Sequence, residues 1–141
     1  MLISTKGRYA LRVMLELAQY PKGEYIPLMT IAEHQEISEK YLESIISALS
    51  KAGFVDGLRG KGGGYRLNRE PEEYTVGSIL RIVEGSIAPV SCLVEDNTKK
   101  CGRSECCKTL PVWENLGKII DEYLDSVTLA DMAGDGDECE A

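Results

Sequence analysis

The sequence predicts a mainly α-helical fold with a small β-hairpin and a long helix near its C-terminus. Three observations predict this fold class. Apolar residues recur at helical spacing in three consecutive segments of residues 4–53, and two short β-prone runs flank a glycine-rich stretch within residues 54–68. An apolar heptad pattern then occupies residues 111–127. Three helices followed by a basic hairpin form the element order of a winged helix-turn-helix, and 141 residues suffice for one compact domain with an appendage.

The first three helices are predicted from apolar stripes and from residues that start or stop a helix. Residues 4–19 place their apolar side chains on one face, and the YPKGEY stretch then breaks the pattern. Pro27 opens a second short helix, Ser38 caps a third, and Gly53 ends it. The short connection between the second and third helices predicts a helix-turn-helix.

The predicted hairpin is basic at its tip although the chain as a whole is acidic. The net charge is −7, but residues 1–70 carry ten Lys or Arg and eight Asp or Glu, whereas residues 71–141 carry six and fifteen. A local basic patch suits phosphate binding whatever the total charge. The RGKGGG stretch lacks the G-x-x-x-x-G-K-[ST] pattern, which disfavours a nucleotide-binding loop. The patch consists of Arg59, Lys61, Arg66 and Arg69, and Gly60 with the glycines beside it permits close backbone approach.

The start of the third helix and the tip of the hairpin are the candidate DNA-reading elements. In this fold the third helix enters the major groove, and the hairpin, or wing, lies near the backbone or minor groove. Glu43 can accept a hydrogen bond from cytosine N4, and Arg59 suits a narrow minor groove. Two alternatives remain: these side chains only solvate the surface, or the helix-turn-helix contacts another protein. The outward residues of the third helix are Ser38, Glu39, Lys40, Tyr41 and Glu43.

The second half of the chain predicts a short helix, a cysteine-rich segment and a long helix. Thr75 caps the short helix and Gly85 ends it, and Pro111 starts the long helix, which runs to about Ser126. The long helix carries an apolar seam that nothing else in the chain is left to cover, which predicts pairing with a second copy. The acidic tail GDGDECEA is predicted to be disordered. The seam consists of Trp113, Leu116, Ile120, Tyr123 and Val127.

The cysteine-rich segment SCLVEDNTKKCGRSECCKTLPVW holds four of the five cysteines of the chain. It contains no C-x-x-C pair, which disfavours a zinc ribbon or a thioredoxin-like motif. Irregular spacing is compatible with an iron–sulphur cluster; a thiol switch and inert thiols are the alternatives. Cys139 in the tail is interpreted as a free thiol, and His34, the only histidine, as a structural residue. The four clustered thiols belong to Cys92, Cys101, Cys106 and Cys107.

Composition and motifs argue against several classes of protein. The N-terminus has no secretory signal pattern, and no apolar run approaches the ~18 residues of a membrane span. We therefore expect a cytoplasmic protein, in which thiols stay reduced. No catalytic histidine, paired carboxylates or nucleotide loop is recognisable, so the sequence does not predict an enzyme.

Several stretches together resemble the Rrf-type family of bacterial winged helix-turn-helix transcription regulators, with its IscR-, NsrR- and CymR-like branches. The stretches are LISTKGRYALRVMLELA, ISEKYLESIISALSKAGFV, RGKGGGYRL, VGSILRIVEG and VWENLGKIIDEYLDSVTLADM, and the resemblance covers about residues 1–133. It implies a homodimeric regulator, usually a repressor, that binds an imperfect palindrome in double-stranded DNA. By position, it implies DNA contacts by Arg8, Tyr9, Ser38, Lys40, Tyr41, Glu43, Arg59 and Gly60, to which the basic wing tip adds Lys61.

In the cluster-bearing branch, three cysteines before the dimer helix hold a 2Fe–2S cluster. The resemblance assigns this role to Cys92, Cys101 and Cys107, with Cys106 as a replacement or a fourth ligand. The IscR-like histidine position is occupied by Leu110 here. The acidic ligand of the nitric-oxide-sensing branch is replaced by Arg8. The fourth ligand therefore stays open among Cys106, Glu105, Glu95, Asp96 and an exogenous group.

The CymR-like branch has no cluster cysteines and acts with cysteine synthase in cysteine metabolism. The stretches ISTKGRYALRVMLELA and EGSIAPV resemble that branch, which makes a sulphur-metabolism regulator the alternative. In either case the expected organisation is a DNA-binding domain over residues 1–70, a connecting helix over 71–91, a cysteine loop over 92–110, a dimerisation helix with a terminal turn over 111–133, and a tail over 134–141.

Overall fold

The structure, a computed structural model, describes residues 3–94 and 105–134. These ranges contain six α-helices and a two-stranded antiparallel sheet, so the predicted fold class is confirmed. Short 3-10 turns at Pro71–Glu73 and Ser91–Leu93 precede and follow the fourth helix. In chain order the elements are α1 Thr5–Ala18, α2 Leu28–Gln35, α3 Glu39–Lys51, β1 Val55–Leu58, β2 Gly64–Leu67, α4 Val76–Glu84, α5 Leu110–Ser126 and α6 Leu129–Gly134.

The helix starts follow from side chains that accept hydrogen bonds from the first backbone amides. The Ser38 hydroxyl oxygen accepts from the amide of Tyr41 at 3.2 Å, and Thr75 accepts from the amide of Ser78 at 3.1 Å. At the other end of α3, Gly53 follows the cap with φ +76°, as a helix-stopping glycine does. The predicted starts of α3 and α4 are therefore confirmed.

The wing, which consists of β1, β2 and the turn between them, is fixed against the segment before α2. The strands pair from Val55 with Leu67 to Leu58 with Gly64. An isolated bridge adds Ile26 to β2, because its amide donates to the Tyr65 carbonyl at 2.8 Å and its carbonyl accepts from the Tyr65 amide at 2.9 Å. These two hydrogen bonds join the wing to the segment that leads into α2.

One apolar core joins the helix-turn-helix to the C-terminal end of the described chain. Tyr74 is fully buried in it, and its hydroxyl donates to the Phe54 carbonyl at 2.8 Å and accepts from the Asn68 amide at 3.1 Å. Leu129 of α6 is also fully buried, and its amide donates to the Tyr74 carbonyl at 3.0 Å. The chain thus returns from α5 to the half that contains the helix-turn-helix. The largest fully buried side chains of this core are Tyr74, Met14, Ile31, Leu42, Ile45, Ile46, Leu49, Ile79, Leu129 and Val13.

The predicted seam of α5 is wrong at two of its five positions. Ile120 and Val127 pack against a second apolar cluster formed by Val76, Leu80 and Ile87, so α4 covers them within the same chain. The sequence could not show this, because the packing joins segments forty residues apart. The apolar side chains of α5 that remain exposed are Val112, Trp113, Leu116, Ile119 and Tyr123.

No described helix combines the length and the apolar character that crossing a lipid bilayer requires. The predicted disordered tail begins at Gly134, which the structure instead places at the end of α6, and residues 135–141 lie outside the described residues.

Candidate nucleic-acid interface and cysteine site

The first turn of α3 presents polar side chains to solvent. Lys40 and Glu43 are exposed, and so is Ser38, whose oxygen is occupied as the helix cap. Tyr41 is half-buried because its ring meets that of Tyr9 edge-on, at 5.9 Å between centroids and 74° between planes. This contact ties the start of α3 to α1, so side chains from both helices share one surface.

Two arginines of α1 extend this surface. Arg8 is exposed, and its guanidinium donates to the Thr5 hydroxyl at 3.1 Å. The Arg12 guanidinium lies 5.0 Å from the centroid of the Tyr9 ring and donates to the Gln35 side chain and carbonyl at 2.9 and 2.7 Å. Sequence reasoning named Arg8 and Tyr9 but missed Arg12. The signal was present, since Arg12 follows Arg8 by one helical turn.

Beneath this surface, α1 and α2 are joined by a buried carboxylate. Glu16 is buried, and its Oε1 lies 3.1 Å from Nδ1 of His34 and accepts from the Gln35 amide at 3.1 Å. No hydrogen-bond partner for its Oε2 is found in the part of the chain that the structure describes. His34 therefore contacts a structural partner within its own fold, as the sequence predicted.

The basic patch of the wing divides into engaged and free side chains. Arg66 stacks 4.3 Å over the Tyr25 ring, and Arg69 lies 4.8 Å over the Phe54 ring, so both serve the packing of the wing base. Arg59 and Lys61 are exposed beside Gly60 at the tip, where no ion pair engages them within the described ranges. Among the four basic side chains of this patch, those of the tip are therefore the ones that packing within the wing leaves free.

The described cysteines lie at the two ends of the cysteine segment. Cys92 is exposed in the 3-10 turn that follows α4, and Cys106 and Cys107 directly precede α5. Within residues 3–94 and 105–134, no three His, Cys, Asp or Glu side chains converge on a metal-sized site. Cys101, Glu95, Asp96 and Cys139 lie outside the described residues, so the complete ligand set is untested.

The surroundings of Cys107 favour its thiolate form. Its Sγ lies 3.2 Å from the Thr109 hydroxyl oxygen. Hydrogen bonds from that hydroxyl, and then from the amides of Thr109 and Leu110, lower the pKa of the Cys107 thiol below its ordinary value. A hydroxyl and the first amides of a helix stabilise a thiolate, which is the form that binds metal or reacts with an oxidant. Thr109 is a contributor that sequence reasoning missed.

A single arginine links the helices on either side of the cysteine segment. Arg81 of α4 donates to both carboxylate oxygens of Asp125 at 2.7 and 3.1 Å and to Asp121 at 3.0 Å. The hydrogen bond to Asp125 is the main cause that raises the pKa of Arg81, so the fork stays charged. The two acids are one turn apart on α5, and this pairing across forty residues left no local signal in the sequence.

A helix-turn-helix with a docked basic wing, followed by a long helix with an exposed apolar face, defines a winged-helix DNA-binding regulator. The family profile of Rrf2, described as an iron-dependent transcriptional regulator, matches residues 3–135. The chain belongs to the Rrf2 family. Regulators of this family bind DNA, typically as dimers.

Relatives from two branches of the family resemble the chain to a similar degree. The IscR regulator of Vibrio atlanticus strain LGP32 is 37% identical over 145 residues, covering 99% of this chain and 79% of the relative. The CymR regulator of Bacillus subtilis strain 168 is 40% identical over 140 residues, covering 98% and 95%. The solved structure of T. potens IscR superposes with a TM-score of 0.75 at 40% identity, covering 100% and 92%. These relatives are transcription regulators rather than enzymes.

Proposed function

We propose that the chain is a homodimeric repressor that reads an imperfect palindrome in double-stranded DNA and responds to iron–sulphur or redox status through a 2Fe–2S cluster. The observation that carries the DNA-binding part is the exposed start of α3, locked to α1 through the Tyr9–Tyr41 contact. Two copies of α3 then enter successive major grooves, one helical turn apart.

The exposed side chains suggest separate roles for α3 and the wing. Lys40 and Arg8 suit phosphate contacts, which give affinity without reading sequence. Glu43 suits the amino group of cytosine, and Arg59 suits a narrow minor groove. Ser38, Tyr9, Tyr41, Gly60 and Lys61 complete the proposed interface.

The chemistry of the described thiols fits a thiolate-bound cluster. Cys92 and Cys106 are exposed free thiols, and the surroundings of Cys107 favour its thiolate. We assign ligation to Cys92, Cys101 and Cys107, and the candidates for the fourth position are Cys106, Glu105, Glu95, Asp96 and an exogenous group. When bound, the cluster supplies oxidant-sensitive redox chemistry between α4 and α5. Arg81 joins α4 to α5, so we expect a change in the segment between them to move these two helices relative to each other. In the proposed dimer, that movement would alter the spacing of the two copies of α3.

A second candidate is a cluster-free regulator of cysteine metabolism that acts through a thiol switch or with cysteine synthase. The observation that favours it is the similarity of the chain to the CymR relative, which is as high as its similarity to the IscR relatives. In this case the Cys107 thiolate would be the reactive group.

The DNA-binding part is tested by titrating an operator duplex and a scrambled duplex at several salt concentrations. We expect preference for the operator and a steep salt dependence. Replacing Arg59 by Ala should weaken specific binding by about 1–3 kcal/mol, whereas Lys108→Ala, which removes an exposed charge outside the proposed interface, should not. Equal binding of both duplexes would leave only a protein-contact role.

The cluster is tested by anaerobic purification, with a visible spectrum and counts of iron and sulphide. We expect about two of each per chain. Replacing Cys92, Cys101 and Cys107 together by Ala should remove the iron and the response of DNA binding to oxidant, while the fold persists. A colourless protein that stays free of iron after reconstitution would instead support the cluster-free candidate.

A further inference from the structure

A cavity of about 460 Å³ lies between α4, the segment that follows it, and α5. Its volume falls within the range of small-molecule sites in proteins. Ile87, Pro89 and Leu93 give it an apolar wall, and α5 contributes a charged rim with Glu114 and Lys118. None of the residues of the proposed DNA interface lines it.

The cavity opens on the face of α5 opposite to the exposed apolar stripe. Glu114, Gly117, Lys118 and Asp121 line the cavity and follow the i, i+3, i+4, i+7 pattern of one helix face. The exposed apolar stripe consists of Val112, Leu116, Ile119 and Tyr123. Each of these residues is two positions along the chain from a residue that lines the cavity, which corresponds to about 200° around the helix axis. A second copy that covers the stripe therefore leaves the cavity accessible.

The rim carries both signs of charge. Glu114 and Lys118 are one helical turn apart, a spacing at which such residues commonly pair, yet neither forms an ion pair with a described residue. Arg81 and Asp121 also line the cavity but are bound to each other. A simple anion would meet the carboxylate of Glu114, and a simple cation would meet the ammonium of Lys118. A ligand that carries both charges satisfies both.

Gly117 keeps the floor of the cavity open. It lies in the middle of α5, where glycine costs about 1 kcal/mol relative to alanine. Close packing does not require it, because a Cβ there would lie 3.5 Å from both Leu93 Cδ1 and Pro89 Cδ, which is ordinary contact. A larger side chain at this position would instead project into the space between α5 and the apolar wall.

We propose that this cavity binds a small zwitterion with an apolar body, the chemistry of a free α-amino acid with an apolar side chain. Lys118 receives the carboxylate, Glu114 receives the ammonium group, and the wall of Ile87, Pro89 and Leu93 receives the side chain. The ligand contacts α5 and the segment that follows α4, and the proposed function makes the relative position of α4 and α5 important, but the binding of the ligand does not depend on DNA.

The test is calorimetric titration of the full-length chain, without DNA, with each of the twenty protein amino acids. We expect at least one apolar amino acid to bind saturably, once per chain. For leucine, 4-methylpentanoate lacks the amino group and 3-methylbutylamine lacks the carboxylate. Equivalent analogues of the tightest amino acid should each bind at least about tenfold more weakly, because each loses one charge-assisted contact. Absence of binding by all twenty amino acids would overturn the proposal.

Matched variants locate the binding. Gly117→Leu should abolish it and Gly117→Ala should weaken it less, while Glu114→Gln should weaken it at least about tenfold. Glu122→Gln removes a carboxylate of the same helix outside the cavity and should leave binding unchanged. Unaltered binding in Glu114→Gln would place the ligand elsewhere and overturn the assignment, even if Gly117→Leu failed to fold. If the chain bound an amino acid but showed no preference for operator DNA, that result would contradict the proposed function and leave this proposal standing.

Discussion

At the scale of the single residue, Gly64 shows how the wing depends on a missing side chain. Its φ is +153°, and a Cβ on it would lie 2.1 Å from the Ile26 carbonyl oxygen and 2.7 Å from the Pro27 nitrogen. Both contacts are with backbone, which cannot rotate away. We expect Gly64→Ala to lower the free energy of unfolding by about 2–4 kcal/mol, measured by urea denaturation, because the wing must separate from the segment before α2.

Gly62 provides the matched control for this prediction. It also has a positive φ, +77°, but nothing lies within 4 Å of the position of its Cβ. Gly62→Ala should therefore cost only about 1 kcal/mol, from backbone strain alone. Equal losses in the two variants would show that conformation rather than close approach explains the glycine at position 64.

The thiol of Cys107 leads to a prediction about pH. Its pKa is lowered, so its thiolate persists to lower pH than that of an ordinary cysteine. In the metal-free protein, the alkylation rate of Cys107 by iodoacetamide should therefore rise at lower pH in the folded chain than in the same chain unfolded in urea. Mass spectrometry of the alkylated protein under both conditions measures both midpoints.

Thr109 provides the control for the thiol. Because its hydroxyl is the first cause of the shift, Thr109→Val should move the midpoint of Cys107 upward, toward that of the unfolded chain. Loss of this hydrogen bond costs the charged thiolate more stabilisation than it costs the neutral thiol. A midpoint that does not move would assign the lowered pKa to the backbone amides of α5.

At the scale of the secondary-structure element, the contact between α4 and α5 rests on Arg81 as well as on apolar packing. Arg81 and its two acids are about half-exposed, so the bridge is worth about 1 kcal/mol or less. In a double-mutant cycle of Arg81→Met with Asp125→Asn, urea denaturation should give a coupling of about 0.5–1 kcal/mol.

A lysine at position 81 tests whether the geometry of the guanidinium matters in addition to its charge. Arg81 uses two nitrogens to reach two acids, and a lysine ammonium cannot reproduce that fork. Arg81→Lys should therefore recover less than half of the loss in Arg81→Met. Full recovery would mean that charge alone holds the two helices.

The elements also show what the sequence could and could not predict. The starts of α3 and α4 were predicted correctly because Ser38 and Thr75 act on amides three residues away, which is local chemistry. The sequence did not predict correctly which faces of α5 are exposed, because Ile120 is covered by α4. In the candidate interface, exposure of the wing tip was predictable, whereas the engagement of Arg66 by Tyr25 depends on a contact between distant segments.

At the scale of the whole molecule, the exposed stripe of α5 is the surface that a second copy would cover in the proposed dimer. Val112, Ile119 and Tyr123 are 57, 62 and 65% exposed, and large apolar side chains in such a row signal an interaction site. A second face of α5 packs against α4, and a third face lines the cavity. Pairing of two copies through the stripe would bring two wings and two copies of α3 into one particle.

If the proposed dimer forms through the stripe, replacing Ile119 by Glu should convert it into a monomer, because burying an unpaired carboxylate in an apolar interface costs several kcal/mol. Light scattering coupled to size-exclusion chromatography measures the mass, and Lys118→Glu introduces the same side chain on the opposite face and should stay dimeric. The monomer should keep its fold, since Ile119 is outside the core, but lose most of its operator affinity, because each copy then binds a half-site alone. A dimer that survived Ile119→Glu would move the interface away from the stripe and leave these exposed side chains to another partner.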